Sequence, residues 1–444
     1  MGDFDAVFKA YDIRGTVPDQ LDAPMCRAIG AAFARFAGAP TVLVARDMRP
    51  DGPELAGAFA EGAREQGADV IDLGMASTDL IYYAAGALDA PGAMFTASHN
   101  PAGYNGIKLC LSGARPVGED TGLVEIKAMA QGNLEPRGAQ GSLTHRDLLD
   151  DFGAHVRSFV DPAKLRALSI VADTANGMGG LVVPIVFAPL PFRLELLFAD
   201  LDGTFPNHPA DPIQLANLRW LIDRVVETDA DVGLAFDGDA DRVFLVDDLG
   251  HPLSGSITTA IVAKGVLAKD PGATILYNLI CSKTVAEVIR ENGGTPVRTR
   301  VGHSFIKQVM ADTGAAFGGE HSAHYYFRDN YRADSGSIAA LVVLEQLCEA
   351  GIPLSELRKP FERYADSGEI NTRVADPHAV IERVAAAYDG AEQDRLDGLT
   401  VDLGDWWFNV RPSNTEPLLR LNLEASTPTD AATRVAEVQA LMGE

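Results

Sequence analysis

The sequence predicts an α/β protein built as three similar α/β domains followed by a smaller α+β C-terminal domain. Three observations carry that reading. Its 444 residues exceed a single domain of about 100–200 residues. Apolar residues make up 47% and charged residues 22%, which supplies a core and excludes wholesale disorder. Short β-branched runs also alternate with Ala-rich amphipathic stretches across Gly/Asp/Asn-rich loops, the pattern of layers with largely parallel sheets.

The elements follow in chain order. Strand 41–45, a helix near 54–66 and strand 70–73 form the first block. Strand 169–172, a helix near 179–187, strand 193–197, a helix near 215–227 and strand 232–236 form the second. The third has strand 274–277, a helix near 284–291, strand 295–299 and a helix near 304–311. The last segment differs, with strand 369–374, a helix near 378–387, strands 399–403, 406–410 and 418–423, and a helix near 430–442. The expected domains are 1–146, 147–250, 251–362 and 363–444, and the polar, Gly-rich stretch 131–142 reads as a loop before the first boundary.

The net charge is −25. Such a surface repels nucleic acid and anionic lipid, and it repels a phosphorylated ligand at long range. Any phosphate site must therefore be built from locally concentrated donors. Cys26, Cys110, Cys281 and Cys348 have no C-x-x-C spacing and read as reduced, buried thiols. No run approaches the ~20 apolar residues of a membrane span. The nearest, 181–192, is interrupted by Pro184, Pro189 and Pro191. The opening residues carry no apolar signal region. A soluble cytoplasmic protein, with neither nucleic acid nor membrane as partner, is expected.

The most informative segment is Asp237-Gly238-Asp239-Ala240-Asp241-Arg242, directly after an apolar strand. Carboxylates at alternate positions, separated by small residues, converge once the chain leaves the strand, and a hard divalent cation relieves their repulsion. Magnesium suits a few carboxylates plus a substrate phosphate. An acidic solvated turn is the bland alternative, at odds with the apolar strands on both sides. An EF-hand loop is excluded, because Arg242 and Asp248 stand where Gly and Glu are required. An aspartate-nucleophile phosphatase remains the runner-up.

Ser98 lies in Thr96-Ala97-Ser98-His99-Asn100-Pro101, at the end of apolar run 93–95. It is well placed as an exposed nucleophile, although a hydroxyl needs a base, a metal or prior phosphorylation. The acyl-hydrolase elbow G-x-S-x-G is absent. Arg411, Ser413, Asn414 and Thr415 concentrate a bidentate donor, two hydroxyls and an amide, which suits a phosphate dianion as well as a polar hairpin turn. Glu320, Ser322 and His324 alternate along Gly318-Gly319-Glu320-His321-Ser322-Ala323-His324. In an extended chain they would share one side and could bind vicinal sugar hydroxyls, a solvated edge strand being the alternative. Near the start, Tyr11-Asp12-Ile13-Arg14-Gly15 offers Arg14 as an anion-binding residue in a turn.

These five segments, in this order, resemble the motifs of the α-D-phosphohexomutases, and the resemblance covers essentially the whole chain. It implies four domains with mixed sheets around a central cleft. It also implies a Mg²⁺-dependent enzyme that interconverts hexose 1-phosphate and hexose 6-phosphate (mannose, glucose or both) through a phosphoserine and a bound hexose 1,6-bisphosphate. Ser98 would be the phosphoserine; Asp237, Asp239 and Asp241, with the Ser98 phosphate, would hold Mg²⁺. Glu320 and Ser322 would bind sugar hydroxyls, and Arg411, Ser413, Asn414 and Thr415 the phosphate that is not reacting. Tyr11, Arg14, His99, Lys108, Arg242, His303 and His324 would line the reacting end, with Lys108, His303 and His324 as candidate proton carriers. A monomer or weak homodimer acting on a small sugar phosphate is the expected assembly.

Two departures bear on substrate. Many relatives carry a lysine just before the cysteine of the third domain, where this chain has Leu279-Ile280-Cys281, and Lys283 is the nearest substitute. Glu-His-Ser-Ala-His replaces the Glu-Gln-Ser-Gly-His of phosphoglucosamine mutases, which tilts the expectation toward mannose and glucose phosphates. Phosphoglucosamine mutase is the alternative, followed by the aspartyl phosphatase and a non-catalytic phosphosugar sensor.

Overall fold

The computed structural model describes residues 3–132, 134–412 and 418–443. Its contacts divide the chain into two compact units: one holds the residues up to Ser254 together with Ser322–Leu357, and the other Gly255–His321 with the residues from Arg358 onward. No single helix among the described residues is long and apolar enough to cross a membrane.

The first unit contains two sheets. The strands of the larger run in the order Ile13–Thr16, Tyr104–Leu111, Gly92–Phe95, Thr41–Arg46, Asp69–Met75 and Leu143–His145, with Arg115–Pro116 paired to Tyr104–Leu111. The three pairings from Gly92–Phe95 outward to Leu143–His145 are parallel, and the two involving Tyr104–Leu111 on its long edges are antiparallel. The sheet is therefore mixed, where strand–helix alternation alone suggested largely parallel pairing. The reason is local: only residues 96–103 join Gly92–Phe95 to Tyr104–Leu111, too short a link for the crossover that parallel neighbours need.

The second sheet has the order Val243–Asp247, Val232–Phe236, Ser169–Asp173, Arg193–Leu197. Its central strand Val232–Phe236 is buried throughout, which explains its unbroken apolar run. Residues 237–242 turn directly into the antiparallel neighbour, pairing Phe236 with Val243.

On the larger sheet, helix Ala23–Ala37 begins at Asp22, whose side chain accepts from the Met25 N–H at 2.8 Å, and ends on Gly38 at φ 60°. Both ends match the preferred caps. It packs on helix Gly52–Glu65, and the rings of Phe33, Phe59 and Phe95 form the contact beneath, with centroids 5.9 and 5.5 Å apart. The helices meet backbone to backbone: a Cβ on Gly30 would lie 2.0 Å from the Phe59 carbonyl oxygen, and one on Gly62 1.9 Å from that of Arg27.

Helix Gly336–Ala350 belongs to this unit by contact, although in sequence it falls within the third expected block, 251–362. Ser335 caps it, accepting from the Ile338 N–H at 3.2 Å. Gly336 sits so close to Arg242 that a Cβ would meet the Arg242 carbonyl carbon at 2.7 Å. The Asp161 N–H donates to Glu345 at 2.8 Å. The helix is buried on nearly every side, so it lacks the apolar stripe by which a surface helix is recognised in sequence.

In the second unit, Thr295–Thr299, Thr274–Asn278 and Phe317–Gly319 run parallel, flanked by helices Gly255–Lys269, Lys283–Glu291 and His303–Thr313. The C-terminal sheet is antiparallel throughout, in the order Ala365–Arg373, Leu418–Ala425, Trp407–Pro412, Leu399–Asp402, Glu392–Asp394. Its core, including Val384, Phe408, Leu421 and Val438, is shared with helices Pro377–Ala387 and Pro428–Gly443.

The close helix crossing makes one expectation specific. Gly30→Ala should destabilise the protein by about 1–3 kcal/mol through overpacking, read as a lower urea midpoint. A midpoint equal to or above the parent's would contradict the backbone contact.

Candidate active site

Ser98 stands where the larger sheet's strand Gly92–Phe95 runs out. Its backbone is left-handed, φ 48°, a conformation that costs a non-glycine residue about 1 kcal/mol or more. The surroundings hold it there. The Ser98 N–H donates to Thr96 Oγ1 at 2.9 Å. Arg49 grips the loop from below: Nη2 donates to the carbonyls of Ser98 (2.9 Å) and Asn100 (2.7 Å), and Nη1 to those of Pro101 (2.9 Å) and Tyr104 (2.8 Å). Asp47 balances this buried guanidinium at 3.3 Å, and the Phe205 ring covers it at 5.2 Å.

The acidic turn comes from the other sheet of the same unit. Ala240 takes φ 60°, which folds the three carboxylates together. Gly238 is required by proximity: a Cβ there would lie 2.4 Å from the Ser98 carbonyl oxygen. The two loops are thus pressed backbone against backbone. Ser98 Oγ donates to Asp237 Oδ2 at 2.7 Å, joining residues 139 positions apart in sequence.

Asp237, Asp239 and Asp241 are all but fully buried, and oxygens from the three lie within 4.8 Å of one another. Two cations answer them. Lys108, on strand Tyr104–Leu111, donates to Asp239 Oδ2 and Asp241 Oδ2 at 2.7 Å each. Arg242 donates from Nε to Asp237 Oδ2 at 3.0 Å and from its backbone N–H to Asp237 Oδ1 at 3.2 Å. Burial pushes the Asp237 carboxyl up to about 7, Asp239 and Asp241 adding to the push against the pull of Arg242. Burial acts against the Lys108 charge too, but Asp239 and Asp241 prevail and hold its proton well above the ordinary lysine range.

Asp239 Oδ1 and Asp241 Oδ1 are buried and accept no hydrogen bond. An oxygen-only donor set with orphaned, converging carboxylate oxygens fits a hard divalent cation. Asp241, His324 and Asp334 form a second group of convergent ligand atoms beside it.

His99 borders the serine. Arg242 Nη2 donates to His99 Nδ1 at 2.6 Å, and Ser98 Oγ lies 3.3 Å from the same nitrogen. The accepting Nδ1 assigns the ring proton to Nε2. Burial, then the charges of Arg242 and Arg14, lower the His99 pKa to about 2, so the ring is neutral. Arg14, on edge strand Ile13–Thr16, donates to Asn100 Oδ1 at 2.5 Å and pairs with Asp12. Tyr11 is half-buried just before that strand. His324 Nδ1 lies 2.8 Å from Asp334 Oδ2 and 4.0 Å from Asp241 Oδ1. Burial opposes its charge, but Asp334 and Asp241 raise its pKa overall. The first unit thus brings Arg14, Ser98, His99, Lys108, Asp237, Asp239, Asp241, Arg242 and His324 into one constellation.

The segment around Glu320 departs from the extended strand expected of it. A turn spans His321 and Ser322, and Ala323 adopts φ 65°, so Glu320, Ser322 and His324 do not alternate along one face. Ser322 is half-buried. In the second unit Glu320 is buried, and its Oε2 accepts from Asn278 Nδ2 at 3.1 Å. Lys283 Nζ donates to Asp402 Oδ1 at 2.7 Å and the Gly404 carbonyl at 2.8 Å, so its ammonium joins the C-terminal sheet. Arg411 is buried between Glu369 Oε2 at 2.7 Å and Asn422 Oδ1 at 2.9 Å. Ser413, Asn414, Thr415 and the side chain of His303 lie outside the described residues.

Arg49, Thr78 and Asp334 escape a reading of motifs. Arg49 follows the apolar strand Thr41–Arg46 within Arg46-Asp47-Met48-Arg49. Charged residues at a strand end are the only signal it gives, and nothing in its spacing points to Ser98.

The chain resembles known proteins along its whole length. The models for phosphoglucomutase/phosphomannomutase alpha/beta/alpha domains I, II and III match residues 5–136, 148–250 and 254–364, and that for the C-terminal domain matches 369–441. A protein named phosphohexose mutases from Xanthomonas campestris pv. campestris is 40% identical over 446 residues, covering 98% of each chain. A phosphomannomutase of Salmonella montevideo is 39% identical over 430 residues, 94% of each. The crystal structure of a phosphoglucomutase/phosphomannomutase family protein from Burkholderia thailandensis superposes with a TM-score of 0.91 at 33% identity, covering 100% of this chain and 98% of that one.

The grip of Arg49 yields a stability prediction. Arg49→Met leaves four carbonyls without their donor and Asp47 without its counter-charge, and should cost at least about 3 kcal/mol in urea unfolding. Arg49→Lys keeps the charge but lacks the fork, and should recover only part of the loss. Near-parental stability in Arg49→Met would contradict the clamp.

Proposed function

The chain belongs to the α-D-phosphohexomutase family, a phosphotransferase mutase, and on that premise we propose that it interconverts the 1- and 6-phosphates of mannose or glucose through a phosphorylated Ser98. The observation that supports this reading most directly is the 2.7 Å contact between Ser98 Oγ and Asp237 inside the carboxylate cage. Domain boundaries near 146, 250 and 362 belong to the same reading.

The chemistry balances without an outside reactant. The phosphorus–Oγ bond of phosphoserine 98 breaks as a bond forms from that phosphorus to the free hydroxyl of the bound hexose phosphate. The hydroxyl proton passes to a base and is delivered to the departing Oγ, leaving a hexose 1,6-bisphosphate and a free serine hydroxyl. After the bisphosphate turns around, its other phosphoryl group returns to Ser98 and the proton is given back. Phosphoryl transfer needs mainly alignment and charge neutralisation.

Asp237, Asp239 and Asp241, with the serine phosphate, would hold Mg²⁺. The ion would draw charge from the transferring phosphoryl oxygens. Lys108 and Arg242 supply the fixed positive charge around the same oxygens. Arg49 holds the serine loop so that Oγ stays in line. Among the candidate proton carriers, Lys108 spends its protons on two carboxylates, whereas His324 has Asp334 to orient it, the histidine–carboxylate arrangement of a general base. Glu320 and Ser322 are assigned to sugar hydroxyls, and Arg411, Ser413, Asn414 and Thr415 to the resting phosphate. Tyr11 and Arg14 complete the reacting end.

Ser98→Ala should lower turnover by at least about a thousandfold while sugar phosphate binding, measured calorimetrically, persists. Near-normal turnover would refute the nucleophile. Protein labelled with ³²P should keep its label in hydroxylamine; loss of label would point to an acyl phosphate on Asp237.

Measured with Mg²⁺ and bisphosphate present, kcat/KM should favour mannose or glucose 1-phosphate over glucosamine 1-phosphate by about tenfold or more. The reverse order would make the enzyme a phosphoglucosamine mutase.

A further inference from the structure

We propose that Thr78 is a positioning residue for Asp239, a side chain of the serine-bearing sheet's own helix layer that sets the orientation of the central carboxylate in the cage. The inference rests on the reading of Asp237, Asp239 and Asp241 as cation ligands.

Thr78 begins helix Thr78–Ala87 and is fully buried. It holds Asp239 at two points. Its backbone N–H donates to the Asp239 carbonyl at 3.0 Å, and its Oγ1 donates to Asp239 Oδ2 at 2.6 Å. One contact fixes the backbone of the acidic turn and the other the rotation of the carboxylate.

Oδ2 also accepts from Lys108 Nζ. With both donors on one oxygen, Oδ1 is left buried and without a hydrogen bond, available to a cation. A carboxylate ligand free to rotate would lose that arrangement. Outer donors of this kind are what keep metal ligands aimed.

The threonine is itself anchored. Its neighbour Asp79 is buried, accepts from Ser77, and accepts from Ser335 Oγ at 2.6 Å. Ser335 is the residue that caps helix Gly336–Ala350. Residues 77–79 therefore tie together the start of one helix, the acidic turn and the start of another. A β-branched side chain is also stiff about χ1, so the hydroxyl is held in place before any ion arrives.

The test is the affinity of the full-length protein for Mn²⁺, titrated by electron paramagnetic resonance or calorimetry, in the parent, Thr78→Val, Thr78→Ser and Asp239→Asn. Valine keeps the shape and removes the hydroxyl; serine keeps the hydroxyl. The Mn²⁺ Kd should rise about 10–100-fold in Thr78→Val and stay within about threefold of the parent in Thr78→Ser. Activity lost in Thr78→Val should return on raising Mg²⁺, which a general packing defect would not allow. Thr78→Ala carries the same expectation if the valine variant does not fold. Parental affinity in the variant lacking the hydroxyl overturns the role of Thr78 and leaves the cation site standing. Parental affinity in Asp239→Asn overturns both.

Discussion

Two loops from different sheets touch, and the proposed chemistry rests on that contact. The turn after strand Val232–Phe236 lies against the loop after strand Gly92–Phe95, and it can do so only because position 238 has no side chain. A methyl group there would collide with the Ser98 carbonyl. The glycine is therefore what lets a hydroxyl and a buried carboxylate come within hydrogen-bond distance. The strain at Ser98 follows from the same closeness, since a left-handed serine turns Oγ toward Asp237, and the four carbonyl contacts of Arg49 hold the loop in that posture.

Charge is managed locally. The chain as a whole carries −25 and would repel a phosphorylated molecule. Within the cage, three carboxylates face two fixed cations, Lys108 and Arg242. Each of these takes up some of the carboxylate oxygens and leaves others unanswered, so the site retains negative potential where a divalent ion would sit. Nearby Arg14, paired with Asp12, and the neutral His99 add further donors. On the proposed function, a divalent ion in that negative region, together with these donors, would let a phosphate be held despite the acidic surface. Burial is what makes it effective, because pairs out of water are screened little.

Much of this was legible in the sequence, and the rest was hidden for identifiable reasons. The acidic turn and the serine turn both announced themselves by small residues and polar side chains between apolar strands. Their meeting could not be read from spacing. Arg49 and Thr78 stand outside every motif because each acts on backbone or on another side chain, and neither role leaves a pattern in the chain. Helices Gly255–Lys269 and Gly336–Ala350 were missed because burial on nearly every face removes the amphipathic period. The Glu320–His324 segment misled for a different reason. Alternating polar residues look like a strand, but Ala323 in the left-handed region turns the chain, and only the backbone reveals that.

The proposed chemistry requires a divalent ion to bind beside Ser98. Anomalous diffraction from crystals of the phosphorylated protein grown with Mn²⁺ would locate it. A single peak about 2.1 Å from one oxygen each of Asp237, Asp239 and Asp241, and from a phosphoryl oxygen on Ser98, is the expected result. A peak held by Asp241, His324 and Asp334 instead, or none near the serine, would contradict it.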